Sequence, residues 1–320
     1  MSGQVDTEGR ALAAGLIRQF GESGPPPETR TDIDTASLIR RFPRLADARV
    51  RSIGVEGPHG TVPTRLYEPV APNGIALVWV HGGAFIAGDL DMPESNWVAL
   101  ELAARGFSVL AVDYRKALNG VHHPVLSDEV AAAWSAAIGD GVWASPPESL
   151  HLGGASAGAF LSASVALRTA AEWGRLPDSL LLIYPLVHRT LPEASPAAAA
   201  AAETLAPEQR FTPGFVQGLN ENYLGSADPT AHPIAFPAEA DLQVLPPTLV
   251  VNAEADDLRA SGEAFAAALG AAGVPHEVTT ERGTIHGYLD QPGHAGAVAT
   301  LDRIAGWLAS HAEPTAPTRS

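Results

Sequence analysis

The apolar residues between positions 75 and 312 fall into two kinds of stretch that alternate along the chain. Short continuous apolar runs are typical of strands buried on both faces, and apolar residues spaced three or four apart are typical of helices. Strands are predicted at Ile75–Val80, Phe107–Val112, the run around Leu150 and Leu152, Ser179–Tyr184, Thr248–Val251 and His276–Thr280. Helices are predicted at Asn96–Arg105, Pro124–Ile138, Ala159–Ala171, Leu258–Ala272 and Ala295–Ala312. This alternation predicts an α/β fold with a mostly parallel central sheet and helices on both of its faces.

Residues 1–74 have a different pattern. Val50–Glu56 and Thr61–Glu68 read as two strands joined by a hairpin turn at 57–60. Helices are predicted at Gly9–Phe20 and Asp34–Arg41. These helices precede the first strand, so we expect their apolar residues to pack over the carboxyl ends of the strands; the residues are Leu12, Leu16, Ile17, Phe20, Leu38, Ile39 and Phe42. Residues 186–224 show no clear pattern apart from the helix-prone Ala197–Ala202.

Composition excludes several classes of protein. The formal net charge of −16 and the lack of a basic cluster argue against a nucleic-acid partner. The chain has no cysteine, which excludes disulfides, a thiolate nucleophile and cysteine-bound zinc. No apolar run approaches 18 residues, so no membrane span is expected. Met1–Arg10 lacks the apolar part of a signal peptide, and we therefore expect a cytoplasmic protein.

One stretch carries the features of a nucleophile elbow. The sequence Gly154-Ala155-Ser156-Ala157-Gly158 follows a predicted strand and precedes a predicted helix. A Gly-x-Ser-x-Gly turn in this context is sharp enough to expose the serine hydroxyl at the carboxyl edge of a sheet. The alternative is an ordinary helix start with a capping serine. The elbow interpretation makes Ser156 the candidate nucleophile.

A triad on such a sheet needs an acid and then a histidine later in the chain. Glu254, Asp256 and Asp257 directly follow the predicted strand Thr248–Val251, although Asp257 could instead cap the next helix. His286 follows the last predicted strand and stands next to a glycine, which makes it the candidate base among 11 histidines. The pair His122 and His123 gives no metal prediction, because no carboxylate stands at a ligand spacing.

The loop after Ile75–Val80 has the sequence His81-Gly82-Gly83-Ala84-Phe85. A glycine-rich turn after a central strand exposes backbone N–H groups, which can stabilise the oxyanion of an acyl-transfer intermediate. The candidate donors are Gly83 and Ala157, together with either Gly82 or Ala84. A flexible connecting loop is the alternative, but the order of loop, elbow, acid and histidine favours catalysis.

Together these motifs resemble the hormone-sensitive-lipase-like family of α/β-hydrolases, in its bacterial carboxylesterase branch. The matching segments are His81–Phe85 with Gly88–Leu90, Val112–Arg115, Gly153–Gly158, Leu182–Pro185, Tyr223–Gly225, Leu245–Pro247, Ala253–Arg259 and His286–Tyr288. The resemblance covers about residues 50–312 and implies an α/β-hydrolase fold. It places the acid on Asp256, since Asp257 stands where the family usually has proline. It also implies a helical cap, formed by residues 1–48 and part of 186–224, over a catalytic domain at 49–312; residues 313–320 are expected to be a disordered tail.

The sequence departs from the family at several positions, including Ala84, Ala155, Ala159 and the segment Lys116–Asn119. None of them belongs to the triad, so they affect the expected substrate rather than the reaction. We predict a serine carboxylesterase that uses Ser156, His286 and Asp256 on small to medium acyl esters, with no cofactor or metal. The same triad could hydrolyse amides, carbamates or lactones, and a non-catalytic ligand-binding protein is a further alternative. The expected partner is a small-molecule ester, and the chain could form a homodimer.

Overall fold

The computed structural model describes residues 6–24, 34–139, 141–225 and 235–312. Within them the strands are β1 (Ala48–Gly57), β2 (Gly60–Pro69), β3 (Ile75–Val80), β4 (Ser108–Val112), β5 (Ser149–Ala155), β6 (Leu180–Ile183), β7 (Thr248–Ala255) and β8 (His276–Ile285). They form one sheet in the order β1-β2-β4-β3-β5-β6-β7-β8. β1 and β2 pair antiparallel at one edge, and every pairing from β4 to β8 is parallel. The predicted α/β fold with a mostly parallel sheet is confirmed.

The helices cover both faces of this sheet. They are α1 (Thr7–Ser23), α2 (Thr35–Arg41), α3 (Pro93–Ala104), α4 (Val125–Ile138), α5 (Ala157–Trp173), α6 (Pro196–Ala202), α7 (Pro213–Leu224), α8 (Arg259–Ala271) and α9 (Ala295–Ser310). Side chains of β3 alternate between two cores: Val78 and Val80 pack with α4, α5 and α8, whereas Leu77 and Trp79 pack with α3 and α9. All six residues of β3 are buried, which explains why its sequence is continuously apolar.

The order of the strands determines where a site can form. β3 lies between β4 and β5, so the chain runs outward in opposite directions from β3. Ligands of open parallel sheets bind beyond the carboxyl ends of the strands at such a reversal. The loop after β3 and the turn after β5 meet at this edge, and β6, β7 and β8 end along it.

Most of the predicted elements lie where the sequence placed them, and the main differences concern the ends of β7 and β8 and residues 186–224. β7 runs to Ala255, four residues beyond its predicted end at Val251. β8 continues five residues beyond its predicted end at Thr280, through a polar segment that pairs with β7. Residues 186–224, which gave no clear pattern, contain α7. Two glycines of α7 lower its helix propensity, yet the packing requires both of them: a Cβ on Gly214 would lie 2.0 Å from the Asp6 carbonyl oxygen, and one on Gly218 would lie 2.7 Å from the Ala13 side chain.

α1 packs along α7. The Asp6 carboxylate accepts hydrogen bonds from the backbone N–H of Gly9 at 2.9 Å and of Gly214 at 3.0 Å, so it joins the starts of both helices. Ala13 is fully buried between them, and Arg10 forms an ion pair with Glu221. Leu12 is 56% exposed, so the expectation that it would be buried is wrong; the apolar face of α1 is centred on Ala13 instead.

The apolar face of α1 that contains Ala13 also reaches the loop after β3. Leu16, Ile17 and Phe20 pack in one cluster with Ile86 and the partly buried Ala84. At the end of α1, the Asn119 side chain donates a hydrogen bond of 3.2 Å to the Gly21 carbonyl oxygen. α1 therefore lies against the segments that follow β3 and β4.

α2 has a different place. Its N-cap Asp34 accepts the Ser37 N–H at 2.9 Å. Leu38 is fully buried in the core that contains α3, and Phe42 packs against Trp97 with ring centroids 6.4 Å apart. The segment 1–48 is thus divided between α7 and α3. Residues 1–5, 25–33 and 313–320, which belong to the predicted cap segment and tail, lie outside the described residues.

None of the helices in the described ranges is both long and apolar enough to cross a membrane.

Candidate active site

The turn between β5 and α5 has the geometry of a nucleophile elbow. Ser156 has φ 52° and ψ −118°, a conformation that costs a non-glycine residue about 1–3 kcal/mol. Its N–H donates to the Ile183 carbonyl at 2.9 Å, and its own carbonyl accepts from Phe160 N–H at 3.1 Å. The neighbouring strand and the first turn of α5 thus hold the serine in this strained position.

The flanking glycines are required by close backbone contacts. A Cβ on Gly154 would lie 2.4 Å from the Val80 carbonyl oxygen, and one on Gly158 would lie 2.0 Å from the same atom. Both distances are far below a normal contact, so α5 and β3 could not approach each other with any larger residue. The Gly-x-Ser-x-Gly pattern is a packing requirement of the turn.

Three residues predicted from the sequence come together at the carboxyl edge of the sheet. His286 Nε2 lies 2.9 Å from Ser156 Oγ, and His286 Nδ1 lies 2.7 Å from Asp256 Oδ2. Because the carboxylate only accepts, Nδ1 carries the proton and Nε2 is free to accept the serine proton. The other carboxylate oxygen of Asp256 accepts the Leu258 N–H at 2.9 Å, which fixes the orientation of the acid.

The other two candidate acids point elsewhere. Asp257 receives two hydrogen bonds from the Arg210 guanidinium, both 2.8 Å long, and one of 2.8 Å from Phe211 N–H. Asp257 does not cap α8, because the N-cap residue of that helix is Leu258 and no side chain accepts a capping hydrogen bond there. Glu254 accepts the Gly283 N–H at 2.8 Å. Only Asp256 reaches His286.

The environment of His286 favours its protonated form. Burial of the ring opposes protonation, but the charge of Asp256 and its hydrogen bond outweigh burial, with smaller contributions from the carboxylates of Glu94 and Asp290. The pKa of His286 therefore lies above its ordinary value of about 6.5. A base with a raised pKa accepts a proton more readily, which suits a histidine that must take the proton of an alcohol.

The loop after β3 presents free backbone donors. Among the described residues, neither Gly83 N–H nor Ala84 N–H has a hydrogen-bond partner, and Ala157 N–H stands at the start of α5, where no intrahelical acceptor exists. Gly82 N–H, in contrast, donates to the Glu94 carboxylate. Gly82 N–H is therefore already paired, and the donors that the structure leaves available are Gly83, Ala84 and Ala157.

Sequence reasoning missed Glu94 as part of this site. Its side chain is buried; one oxygen accepts Gly82 N–H, and the other accepts the Tyr184 hydroxyl. The Tyr184 ring meets the His286 ring edge-on with centroids 4.9 Å apart. Glu94 thus links Gly82, in the loop after β3, to Tyr184, whose ring packs against His286. No local pattern marks it, because a glutamate in the first turn of a helix is common for electrostatic reasons.

A second cluster of polar and charged side chains, around the buried His81, contacts the same loop. His81 is fully buried, and its Nδ1 donates to the Gly82 carbonyl at 2.7 Å. Burial and the nearby charge of Lys116 lower the pKa of His81. Lys116 Nζ lies 2.8 Å from Asp113 Oδ1 and 3.4 Å from His81 Nε2. Burial of Asp113 is outweighed by its contacts with His81 and Lys116, and the pKa of this carboxyl is lowered to about 2.

The histidine pair before α4 has structural partners. His122 Nδ1 lies 2.7 Å from the Asn222 carbonyl oxygen, and His123 Nδ1 lies 2.9 Å from the Tyr223 hydroxyl. Over the described parts of the chain, no three His, Asp or Glu side chains are grouped so that they could hold a metal ion. The pair connects α4 to α7.

Comparisons with known proteins identify the family of this chain. The family described as alpha/beta hydrolase fold matches residues 77–290. Esterase LipI of Mycobacterium tuberculosis is 31% identical over 270 residues, which cover 81% of this chain and 80% of that protein. Carboxylesterase NlhH of the same organism is 31% identical over 246 residues, which cover 75% of each chain.

Solved structures give the same result. A hyperthermophilic esterase from Pyrobaculum calidifontis is 25% identical, with a TM-score of 0.74 and coverage of 97% of this chain and 99% of that one. The carboxylesterase EstE1 from a metagenomic library is 25% identical with a TM-score of 0.71, covering 94% and 98%. By its sheet and by these matches the protein is an α/β-hydrolase. It belongs to the hormone-sensitive-lipase-like family within that fold, as its motifs had indicated.

Proposed function

We propose that this protein is a serine carboxylesterase that works through Ser156, His286 and Asp256. That it hydrolyses ester bonds follows from its family, whose members matched above are named esterases and carboxylesterases. The observation that carries the proposed triad is the chain of two hydrogen bonds from Ser156 Oγ through His286 to Asp256.

The reaction would proceed in two halves. His286 Nε2 takes the proton of the Ser156 hydroxyl while Oγ attacks the ester carbonyl carbon, and the carbonyl oxygen becomes an oxyanion. The N–H groups of Gly83, Ala84 and Ala157 are proposed to bind that oxyanion, and loss of one such donor typically costs about 2.7–4 kcal/mol. The imidazolium then gives its proton to the leaving alcohol, and water releases the acyl group by the reverse steps.

We also propose that α1 and α7 form the cap of the site. Support comes from the packing of α1 against Ile86 and Ala84 in the loop that carries the proposed oxyanion donors. Phe211 and Phe215, at the start of α7, border the same space from the side of His286. The surroundings of Ser156 are thus mostly apolar, which favours neutral acyl groups of small to medium size. The cytoplasmic location and the homodimer stay predictions of the sequence.

The test is the Ser156→Ala variant assayed on a panel of p-nitrophenyl esters from acetate to octanoate. We expect hydrolysis to fall to the background rate and the melting temperature to change little, because the change removes one hydroxyl. Turnover above a few per cent of the wild-type value would show that Ser156 is not the nucleophile. Arg303→Gln, at a surface ion pair with Glu277 on β8, serves as the control and should retain full activity.

A further inference from the structure

The residue after the proposed catalytic acid makes an unusual set of contacts. The Asp257 side chain is only 11% exposed, and its two oxygens accept three hydrogen bonds, two from Arg210 and one from the Phe211 backbone. A paired, bidentate guanidinium contact is geometrically specific as well as strong. Arg210 and Phe211 precede α7, so this contact fastens the start of the proposed cap to the loop after β7.

The consequence of this attachment is the position of Phe211. Its ring lies 4.6 Å from the ring of His286, centroid to centroid, at an interplanar angle of 59°. It also meets Phe215 edge-on at 5.9 Å, which extends the aromatic surface along α7. The hydrogen bond from Phe211 N–H to Asp257 holds the backbone of Phe211 beside the loop after β7, so its ring can reach His286.

The chemistry of the reaction says which part of a substrate meets this ring. In the first half of the reaction the bond between the carbonyl carbon and the alcohol oxygen breaks, and a bond between that carbon and Ser156 Oγ replaces it. The proton taken from Ser156 passes through His286 Nε2 to the alcohol oxygen. The leaving oxygen must therefore lie within hydrogen-bond distance of Nε2, so the alcohol group lies beside His286.

We propose that Arg210 and Asp257 are positioning residues that hold Phe211 as an aromatic wall of the alcohol pocket, and that the enzyme prefers esters of aromatic alcohols. The proposal rests on the proposed function, since it assumes the proton transfer by His286. Arg210 and Asp257 act on the substrate only through Phe211. Aromatic rings packed edge-on or offset gain about 0.5–1.5 kcal/mol beyond the area that they bury, which corresponds to roughly 2- to 12-fold in selectivity.

The experiment measures kcat/KM for benzyl acetate, ethyl acetate and benzyl butyrate. The ratio of benzyl acetate to ethyl acetate reports selectivity for the alcohol, and the ratio of benzyl acetate to benzyl butyrate reports selectivity for the acyl group. The variants are Phe211→Leu, Asp257→Asn, Arg210→Gln, Arg210→Lys and the double variant Asp257→Asn/Phe211→Leu, with Arg303→Gln as the control. Thermal melts of each variant check that it is folded.

We expect Phe211→Leu to lower the alcohol ratio by roughly 2- to 12-fold, through KM more than kcat, while the acyl ratio changes less than twofold. Asp257→Asn and Arg210→Gln should lower the alcohol ratio in the same direction. Because both act through Phe211, adding Asp257→Asn to Phe211→Leu should lower it no further. Arg210→Lys keeps the charge without the planar fork and should restore only part of the ratio.

Three results would overturn the proposal. A change in the acyl ratio with an unchanged alcohol ratio would place Phe211 on the other side of the substrate. Additive effects in the double variant would show that Asp257 does not act through Phe211. If Asp257→Asn and Arg210→Gln both behave like Arg303→Gln, the contact between Arg210 and Asp257 is a surface ion pair with no effect on the substrate. Failure of the proposed function is distinguishable, since Ser156→Ala would then remain active on all three esters.

Discussion

Replacing the proposed catalytic acid by its amide is the most informative single change. Asp256 is buried, and its two oxygens face two different donors, His286 Nδ1–H at 2.7 Å and Leu258 N–H at 2.9 Å. An asparagine has one acceptor and one donor group at these positions. Whichever way the amide turns, its NH₂ group faces one of the two N–H groups.

The less costly arrangement keeps the amide oxygen on the Leu258 backbone, which cannot move, and turns NH₂ toward His286. The imidazole can then bond only through an unprotonated Nδ1, so its proton moves to Nε2. In this tautomer the ring cannot accept the Ser156 proton. An Asp→Asn change with this effect in another triad cost about 10⁴-fold in kcat, equivalent to about 5.4 kcal/mol of transition-state stabilisation.

The assay compares kcat on p-nitrophenyl acetate for Asp256→Asn, Asp257→Asn and Glu254→Gln. These are the three acids that the sequence left open, so each serves as a control for the others. We expect a loss of about 10⁴-fold for the first, at most about 10-fold for the second and a value near wild type for the third. The reasoning is refuted if Asp256→Asn keeps a tenth of the wild-type kcat, or if either of the other changes costs a thousandfold.

Three further predictions concern pH and the N-terminal segment. kcat/KM should rise with pH with a midpoint above 6.5, because His286 must lose its proton to act and its pKa is raised. Glu94→Gln should move this midpoint to lower pH, because the Glu94 carboxylate helps to raise that pKa; a shift to higher pH would contradict it. His151 is buried, which lowers its pKa to about 3. Between pH 6.5 and 3 this residue is therefore protonated in the unfolded chain and neutral in the folded protein. Urea unfolding should show about 2 kcal/mol less stability at pH 5 than at pH 7 from this residue, and His151→Gln should remove that difference; an equal slope in both proteins would refute it. Deleting residues 1–24 should leave a cooperatively melting protein with lower esterase efficiency. Deleting residues 1–45 also removes two fully buried leucines, which should lower the free energy of unfolding by about 3–6 kcal/mol more. Equal stability of the two truncated proteins would contradict the packing of α2 in the core beside α3.

The sequence predicted those parts of the fold whose cause is local. β3 was placed to the residue because all of its side chains are buried and its run is uninterrupted. The elbow was visible because its Gly-x-Ser-x-Gly pattern is continuous in the sequence, although the contacts that require the two glycines include the Val80 carbonyl oxygen of β3. Ser156, Asp256 and His286 could be chosen by their order after successive strands, although the choice of Asp256 over Asp257 came from the family resemblance.

The parts that were missed depend on contacts between distant segments. α7 has weak helix propensity because its glycines serve the approach of α1, some 200 residues earlier in the chain. The choice between Gly82 and Ala84 depended on where the Glu94 side chain reaches, which no spacing reveals. Ala84 has φ 53°, so the alanine at the third position of the motif adopts a backbone conformation that glycine adopts more easily.

The pairing of α1 with α7 has a consequence for the order in which the protein folds. α1 leaves the ribosome long before α7, the helix along which it packs, which ends at Leu224. Contacts of such large sequence separation close late, because the entropy of the long loop must be lost before they form. During synthesis β1 to β6 can pair while α1 still lacks its packing against α7. In pulse-labelled hydrogen exchange of the refolding protein, the amides of α1 should therefore become protected after those of β3 and β5.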